Sequence, residues 1–245
     1  MDYRFEEGEV LLINKPLKWS SFDVINRFRY FLRKQCGIQK IKVGHAGTLD
    51  PLADGLLIVC TGRFTKRIEE FQGQEKEYTG TFRLGATTPS FDLEHEPDQT
   101  FETGHITPEM IRQAAAGLTG DIMQVPPVFS AIKIGGKRAY KFARKDKDPE
   151  LSARPVNIRE FEITRIQMPE VDFRISCSKG TYIRSIARDF GLALNSGAHL
   201  TALRRTKIGE FLLKDAWELE ELMAHIRKSY GTASGSGDDE KQEGM

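Results

Sequence analysis

Two hydrophobic periods alternate along this chain. Residues 8–16, GEVLLINKP, form an apolar run closed by Pro16, which cannot continue a strand ladder, and predict a buried strand. In WSSFDVINRFRYFLRKQ the spacing changes to that of a helix, with Phe22, Ile25, Phe28 and Leu32 on one face and Ser20 or Ser21 as the cap. IKVGHAG and GLLIVCTG predict strands on either side of a glycine-rich loop holding Asp50. RFTKRIEEF predicts a short helix, KEYTGTFRLG an alternating strand, and Thr87 to Gly104 a loop. TPEMIRQAAAGL opens a helix with Thr107 as N-cap and Pro108 at its first position. In VFSAIKIGGKRAYKFARKDKD a Gly-Gly pair separates two short segments, which predicts a hairpin leading into a basic helix. VNIREFEITRI and VDFRISCSKG alternate strictly, as antiparallel strands with one solvated or helix-covered face do. GTYIRSIARDFGLAL predicts a helix with Ile183, Ile186, Ala187 and Phe190 inward, TALRRTKIGEF a strand, and DAWELEELMAHIRKS the last helix. Strands and helices mixed without a βαβ rhythm predict an α+β fold: a mixed, largely antiparallel central sheet flanked by helices.

Composition narrows the classes. The 245 residues are 39% apolar and 29% charged, as in an ordinary globular protein. No apolar run reaches the roughly 18 residues of a membrane span. The acidic N-terminus passes at once into a strand and does not read as a signal peptide. Cys36, Cys60 and Cys177 lie far apart with no CxxC pair, so neither a disulfide framework nor a zinc site is indicated, and a reducing cytoplasmic setting is expected. The net charge of +1 conceals an asymmetry. Residues 231–245 carry four acids and one lysine, leaving +4 for residues 1–230. That Gly/Ser-rich acidic tail is expected to be disordered. Seven cations and one acid between Ala131 and Lys147 give +6, a patch that attracts phosphates or simply forms a solvated helix face.

The sequence holds neither GxGxxG nor GxxxxGK[ST], so no nucleotide cofactor is suggested. Asp50 is a different matter. Asp-Pro alone starts a turn, but this loop also holds His45, precedes an apolar strand and is followed after that strand by Lys66. A carboxylate on the rim of a core is how a nucleophile is usually presented. CSKGTYIRSIARDFG places Tyr182 and Arg184 at the start of a helix, where Arg184 either faces solvent or meets a carboxylate. Tyr78 reads as a half-buried strand tyrosine, and Arg204, Arg205 and Lys207 as the charges of an edge strand.

Five motifs in order, GHAGTLDPLADGLL, KEY, PPVFSAIKIGGKRAY, CSKGTYIRSIARDFG and LRRTKIGEF, with LLINKPLKWSSFDV before them, resemble the TruB-type tRNA pseudouridine-55 synthases over roughly residues 9 to 225. The resemblance implies one catalytic domain over residues 1–230 with a basic RNA-clasping insertion at about 125–154, and a disordered tail at 231–245. It implies Asp50 as the catalytic aspartate, Arg184 as its partner and Tyr78 as the residue packing on the target base. His45, Tyr182 and Leu203 would bind substrate. Lys66, Lys133, Lys137, Arg138, Lys141, Arg204 and Arg205 are the candidates for the RNA backbone. The implied reaction isomerises uridine to pseudouridine at position 55 in the T-arm of tRNA after base flipping, without metal or cofactor. The chain departs from many family members in lacking a C-terminal PUA module, so neither a guide RNA nor an obligatory protein partner is expected. Two rival readings follow from the residues alone: a non-catalytic RNA-binding protein, and a glycoside-cleaving enzyme pairing Asp50 with Asp54 or Asp92.

Overall fold

The computed structural model describes residues 3–129, 133–134, 137–138 and 151–233. In chain order the strands are β1 (Val10–Lys15), β2 (Val43–His45), β3 (Ala53–Thr61), β4 (Lys76–Leu84), β5 (Ala86–Thr87), β6 (Gln99–Thr100), β7 (Gly120–Gln124), β8 (Lys133–Ile134), β9 (Lys137–Arg138), β10 (Arg154–Gln167), β11 (Glu170–Cys177), β12 (Ala198–Ile208), β13 (Phe211–Leu212) and β14 (Trp217–Glu218). The helices are α1 (Ser21–Gln35), α2 (Ile68–Gly73), α3 (Pro108–Gly117), α4 (Ile183–Ala193) and α5 (Leu219–Ala233), with a 3-10 helix at Gly62–Arg67. The chain divides into two compact units, one of residues 1–72 with 211–245 and one of residues 73–210.

In the first unit β3 pairs antiparallel with β1, from Val10↔Cys60 to Lys15↔Gly55, and with β2, from Val43↔Thr61 to His45↔Val59. β14 lies parallel to β1. The core joins Leu11 and Ile13 of β1, Leu57 and Val59 of β3, the inner face of α1, and Leu222, Met223 and Ile226 of α5. α1 starts where Ser20 caps it: the Ser20 hydroxyl accepts from the Asp23 N–H, and the Asp23 carboxylate accepts from the Ser20 N–H at 2.8 Å. The Ser20 hydroxyl also donates to the Asp23 carboxylate at 2.6 Å, and this bond, with the one from the Ser20 N–H, holds the Asp23 carboxyl below its ordinary range. The buried face of α1 comprises Ser21, Val24, Ile25, Phe28, Phe31 and Leu32. Phe22, read from sequence as part of that face, is 58% exposed. It lies to one side of the stripe that the 21, 24, 28, 31 spacing defines.

In the second unit the strands run β12-β4-β11-β10-β7, all antiparallel. Phe82 stacks on Phe173 with centroids 4.1 Å apart, and Phe190 of α4 packs 5.4 Å from Phe82 and 5.6 Å from Phe161. The other face carries ion pairs, with Arg174 held by Glu77, Glu160 and Glu162 at 3.2, 2.6 and 2.8 Å. Strict alternation on β10 and β11 produces these two faces.

The α+β architecture and the antiparallel strands agree with the pattern in the sequence. β7 did not register there, because GDIMQ is short and opens with glycine. The stretch expected as a loop from Thr87 onward contains the β5–β6 ribbon. β8 and β9 pair antiparallel, Lys133↔Arg138 and Ile134↔Lys137, in agreement with the hairpin expected there. The basic helix expected after them lies outside the described residues. α5 begins at Leu219 rather than at Asp215, and continues past Ser229 to Ala233. Residues 234–245 of the expected tail lie outside the described residues.

Candidate active site

The candidate residues fall in both units. In the first, His45 ends β2 and Asp50 lies in the loop between β2 and β3. That loop is fixed from several directions. The Ala46 N–H donates to Ile58 O at 2.9 Å, and the Ala53 N–H to Asp50 O at 3.1 Å. The Lys18 N–H donates to Pro51 O at 2.8 Å. Ser21, 1% exposed, clasps the residue before Asp50: its hydroxyl accepts from the Leu49 N–H at 2.8 Å and donates to Leu49 O at 3.1 Å. The Leu49 side chain is itself buried. With backbone bonds on 49, 50 and 51 and an apolar anchor at 49, the loop presents a half-buried Asp50 from a fixed backbone. Lys15 of β1 is fully buried and donates from Nζ to the carbonyls of Pro16 at 2.9 Å and Trp19 at 2.5 Å, tying down the turn that leads into α1. Lys66 is exposed in the 3-10 helix after β3.

In the second unit Tyr78 lies on β4, 9% exposed, opposite Arg205 of β12. Leu203, half-buried, lies opposite Gly80, where a Cβ would come within 2.7 Å of the Phe173 ring. Tyr182 is the N-cap of α4. Its backbone is gripped by the buried Gln124 of β7, which accepts from the Tyr182 N–H at 2.8 Å and donates to Tyr182 O at 3.2 Å. The Arg154 guanidinium lies 5.0 Å from the centre of the Tyr182 ring and donates to Gly180 O.

Arg184 is 4% exposed, so the solvent-facing reading of it is set aside. Its guanidinium donates to Ser90 O at 3.1 Å and Phe129 O at 2.8 Å, and its Nε lies 3.5 Å from the carboxylate of Asp92. Asp92 is also buried and accepts from the Glu94 N–H at 2.9 Å. A buried guanidinium needs such a counter-charge and carbonyl partners to offset its desolvation. Asp92 entered the sequence reading only as a second carboxylate for a glycosidase, and the structure places it at Arg184. Gln124 and Ser21 were not identified as supports either; Ser21 had been named only as an alternative cap.

Arg205, proposed from sequence for the RNA backbone, is 1% exposed and belongs to the interior, whereas Arg204 is exposed. An edge-strand reading of Arg205 fails for the same reason. Nearby Lys76 is 7% exposed and donates to Gln74 O at 2.5 Å. Burial, helped by repulsion from Arg205, lowers its pKa to about 8. Burial likewise pushes the Cys177 thiol up to about 12, where it is inert as a nucleophile. Lys133, Lys137 and Arg138 are carried by the β8–β9 ribbon, and Lys141 lies outside the described residues. Among the described residues no cluster of three His, Cys, Asp or Glu could hold a metal ion, and no helix is long and apolar enough to cross a membrane.

Comparison with known proteins gives concordant matches. The family model "TruB family pseudouridylate synthase (N terminal domain)" matches residues 33–183, and "tRNA pseudouridylate synthase B C-terminal domain" matches residues 184–234. The tRNA pseudouridine synthase B of Flavobacterium johnsoniae is 60% identical over 214 residues, covering 87% of this chain and 93% of that one. Its counterpart in Phocaeicola vulgatus is 58% identical over 216 residues, covering 88% and 92%. Among solved structures, a chain of a Cbf5-Nop10-Gar1 complex superposes with a TM-score of 0.70 at 27% identity over 96% of this chain. The match spans 58% of that longer chain.

Proposed function

The chain belongs to the TruB family of pseudouridylate synthases, and from that premise we propose that it isomerises uridine 55 in the T-arm loop of tRNA, with Asp50 as the catalytic carboxylate. The reaction breaks the C1′–N1 bond, turns the uracil over and joins C1′ to C5; the proton on C5 is lost and N1 gains one. Nothing is oxidised or reduced. The barrier lies in releasing the base from the sugar and retaining it in a dry pocket.

A carboxylate at the ribose can add to C1′, or hold positive charge there while a proton leaves C2′. Both routes need it ionised and aimed. The observation that carries the proposal is the pinned loop: Ser21, Lys18 and Ala53 fix the backbone on both sides of Asp50 and at Asp50 itself. In this reading Arg184 keeps the carboxylate charged and oriented. Its burial and its contacts with Ser90 O, Phe129 O and Asp92 suit it to that task, because they leave the guanidinium little freedom. Tyr78 offers a ring face to the extruded uracil, and Tyr182 and Leu203 wall the pocket. His45, on the same hairpin as Asp50, fills the space that the flipped nucleotide vacates, and flipping costs about a few kcal/mol. Lys66, Arg204 and the basic ribbon of Lys133, Lys137 and Arg138 contact phosphates, which adds affinity without sequence choice.

Asp50→Asn separates catalysis from binding. The variant should form no detectable pseudouridine on a T-arm stem-loop while binding that RNA within a few-fold of wild type. Substantial turnover by the variant would remove Asp50 from its role.

A further inference from the structure

β10 carries three arginines among its fourteen residues, and one is placed unlike the others. Arg159 pairs with Glu75 at 3.2 Å and Arg165 with Asp172 at 2.5 Å. Arg154 has no carboxylate partner among the described residues. Its guanidinium donates instead to Gly180 O and lies over the Tyr182 ring, 5.0 Å from the ring centre. Its Nε is buried with no hydrogen-bond acceptor among the described residues, which leaves the electron-rich ring face as the group that offsets the charge. We propose that Arg154 is a positioning residue for the isomerisation: it fixes the orientation of the Tyr182 ring and so the face that the pocket receives. The inference rests on the reading of Tyr182 as a wall of the uridine pocket.

The turn that carries Tyr182 is held from outside. Gly180 has φ +83°, and a Cβ there would meet nothing closer than the Arg154 guanidinium at 3.6 Å, so the left-handed backbone rather than lack of space calls for glycine. α4 has no side-chain capping bond at Tyr182. Its entry is fastened to β7 and β10 instead. The Ser178 N–H donates to Asn157 O, and the Asn157 N–H to Ser178 Oγ, both at 2.9 Å. Gln124 and Arg154 face each other in the β7–β10 ladder. Gln124 takes the Tyr182 backbone, and Arg154 takes the Gly180 carbonyl and the Tyr182 ring. One row of the ladder thus holds residues 180 and 182 together. Further along α4, Ser185 and Arg188 donate to Val125 O at 2.9 and 3.2 Å, which fixes the helix. Arg154 differs from these contacts in reaching the ring itself. Backbone bonds leave a tyrosine free to change its side-chain rotamer. A guanidinium over one face, tied to the carbonyl two residues earlier, removes that freedom and leaves the other face for substrate. Arginine suits the task because its planar fork stacks and donates at once, which a lysine ammonium does not.

The test is a double-mutant cycle on the full chain with an unmodified T-arm stem-loop, reading the single-turnover rate at saturating RNA and the Kd. Arg154→Met should slow the rate about tenfold or more with Kd within about twofold of wild type, since a displaced wall costs geometry rather than affinity. Arg154→Lys should recover part of the loss. In a Tyr182→Leu background Arg154→Met should change the rate by less than about twofold, because the two side chains act as a unit. Arg159→Met, at an exposed position of the same strand, should leave rate and Kd unchanged. Losses that multiply independently overturn the positioning role. So does weaker binding with a normal saturated rate, which would make Arg154 an RNA contact. A second readout needs no turnover. With fluorotyrosine incorporated, the fluorine resonance of Tyr182, identified by its loss in Tyr182→Phe, should move in Arg154→Met and stay in Arg159→Met. If Arg154→Met does not fold, Arg154→Lys carries both readouts, with a smaller loss of rate and a smaller shift. A Tyr182 resonance indifferent to residue 154 defeats the proposal whatever the kinetics. A resonance that moves, in a protein whose wild type makes no pseudouridine, defeats the proposed reaction and leaves the hold of Arg154 on Tyr182 standing.

Discussion

Ser21 connects the start of α1 to the residue before Asp50 through one hydroxyl that both accepts and donates. Replacing it with alanine leaves the Leu49 N–H and carbonyl buried without that partner. Ser21→Ala should cost about 1–3 kcal/mol of stability. It should also lower kcat more than it raises KM, because the loop loses aim rather than charge. Urea denaturation with steady-state kinetics checks both; a variant destabilised but kinetically normal would make Ser21 a purely structural clasp. Asp92 is the other informative side chain. Asp92→Asn removes a counter-charge of the buried Arg184 guanidinium, for which a loss of about 3–5 kcal/mol is expected, together with a slower single-turnover rate. An unaltered melt and rate would show that Arg184 does not depend on it. Asp50 stands out as a candidate in the sequence because an Asp-Pro turn, a histidine and an apolar strand coincide there. That Asp92 meets Arg184 was not legible, because nothing in the spacing of a loop carboxylate indicates which distant helix it meets.

Among the elements, those with clean periodicity appeared where the pattern put them: β1, α1, β4, α3, β10, β11, α4. Their ends are set by chemistry that is also legible, such as the Ser20 capping box and Thr107 with Pro108. β7 escaped because its value is positional: it supplies Gln124 to the start of α4 rather than a strong apolar face. β12 was misjudged as an edge because its arginines suggested solvent, although Arg205 is interior. β4 carries a further consequence of burial. Lys76 titrates near 8 in the folded chain and at the ordinary 10.5 when unfolded. Between those values the unfolded chain holds the extra proton, so Lys76 makes stability rise with pH from about 8 to 10.5, while below 8 the cost of its charge is fully present. Wild type minus Lys76→Met, compared by chemical denaturation at pH 7, 9 and 10.5, should show that rise. A flat difference would mean that Lys76 remains charged and solvated in the folded protein.

At the scale of the whole molecule, function was more legible than packing. Five motifs spread between Gly44 and Phe211 identify a family, whereas the supports at Ser21, Asp92 and Gln124 exist only once the chain is folded. The uneven charge was visible in the sequence as a basic patch at 131–147, yet the cations at 40, 42, 63 and 66 form a group only through the β2–β3 hairpin. The central claim is that a fixed carboxylate at position 50 rearranges one uridine of a tRNA. The direct measurement is to incubate the protein with an unmodified tRNA transcript and map pseudouridine at single-nucleotide resolution, with Asp50→Asn in parallel. The account predicts a single modified position, 55 in the T-arm loop, absent with the variant. No pseudouridine from wild type, pseudouridine at other positions but not at 55, or release of free uracil in its place, would contradict it.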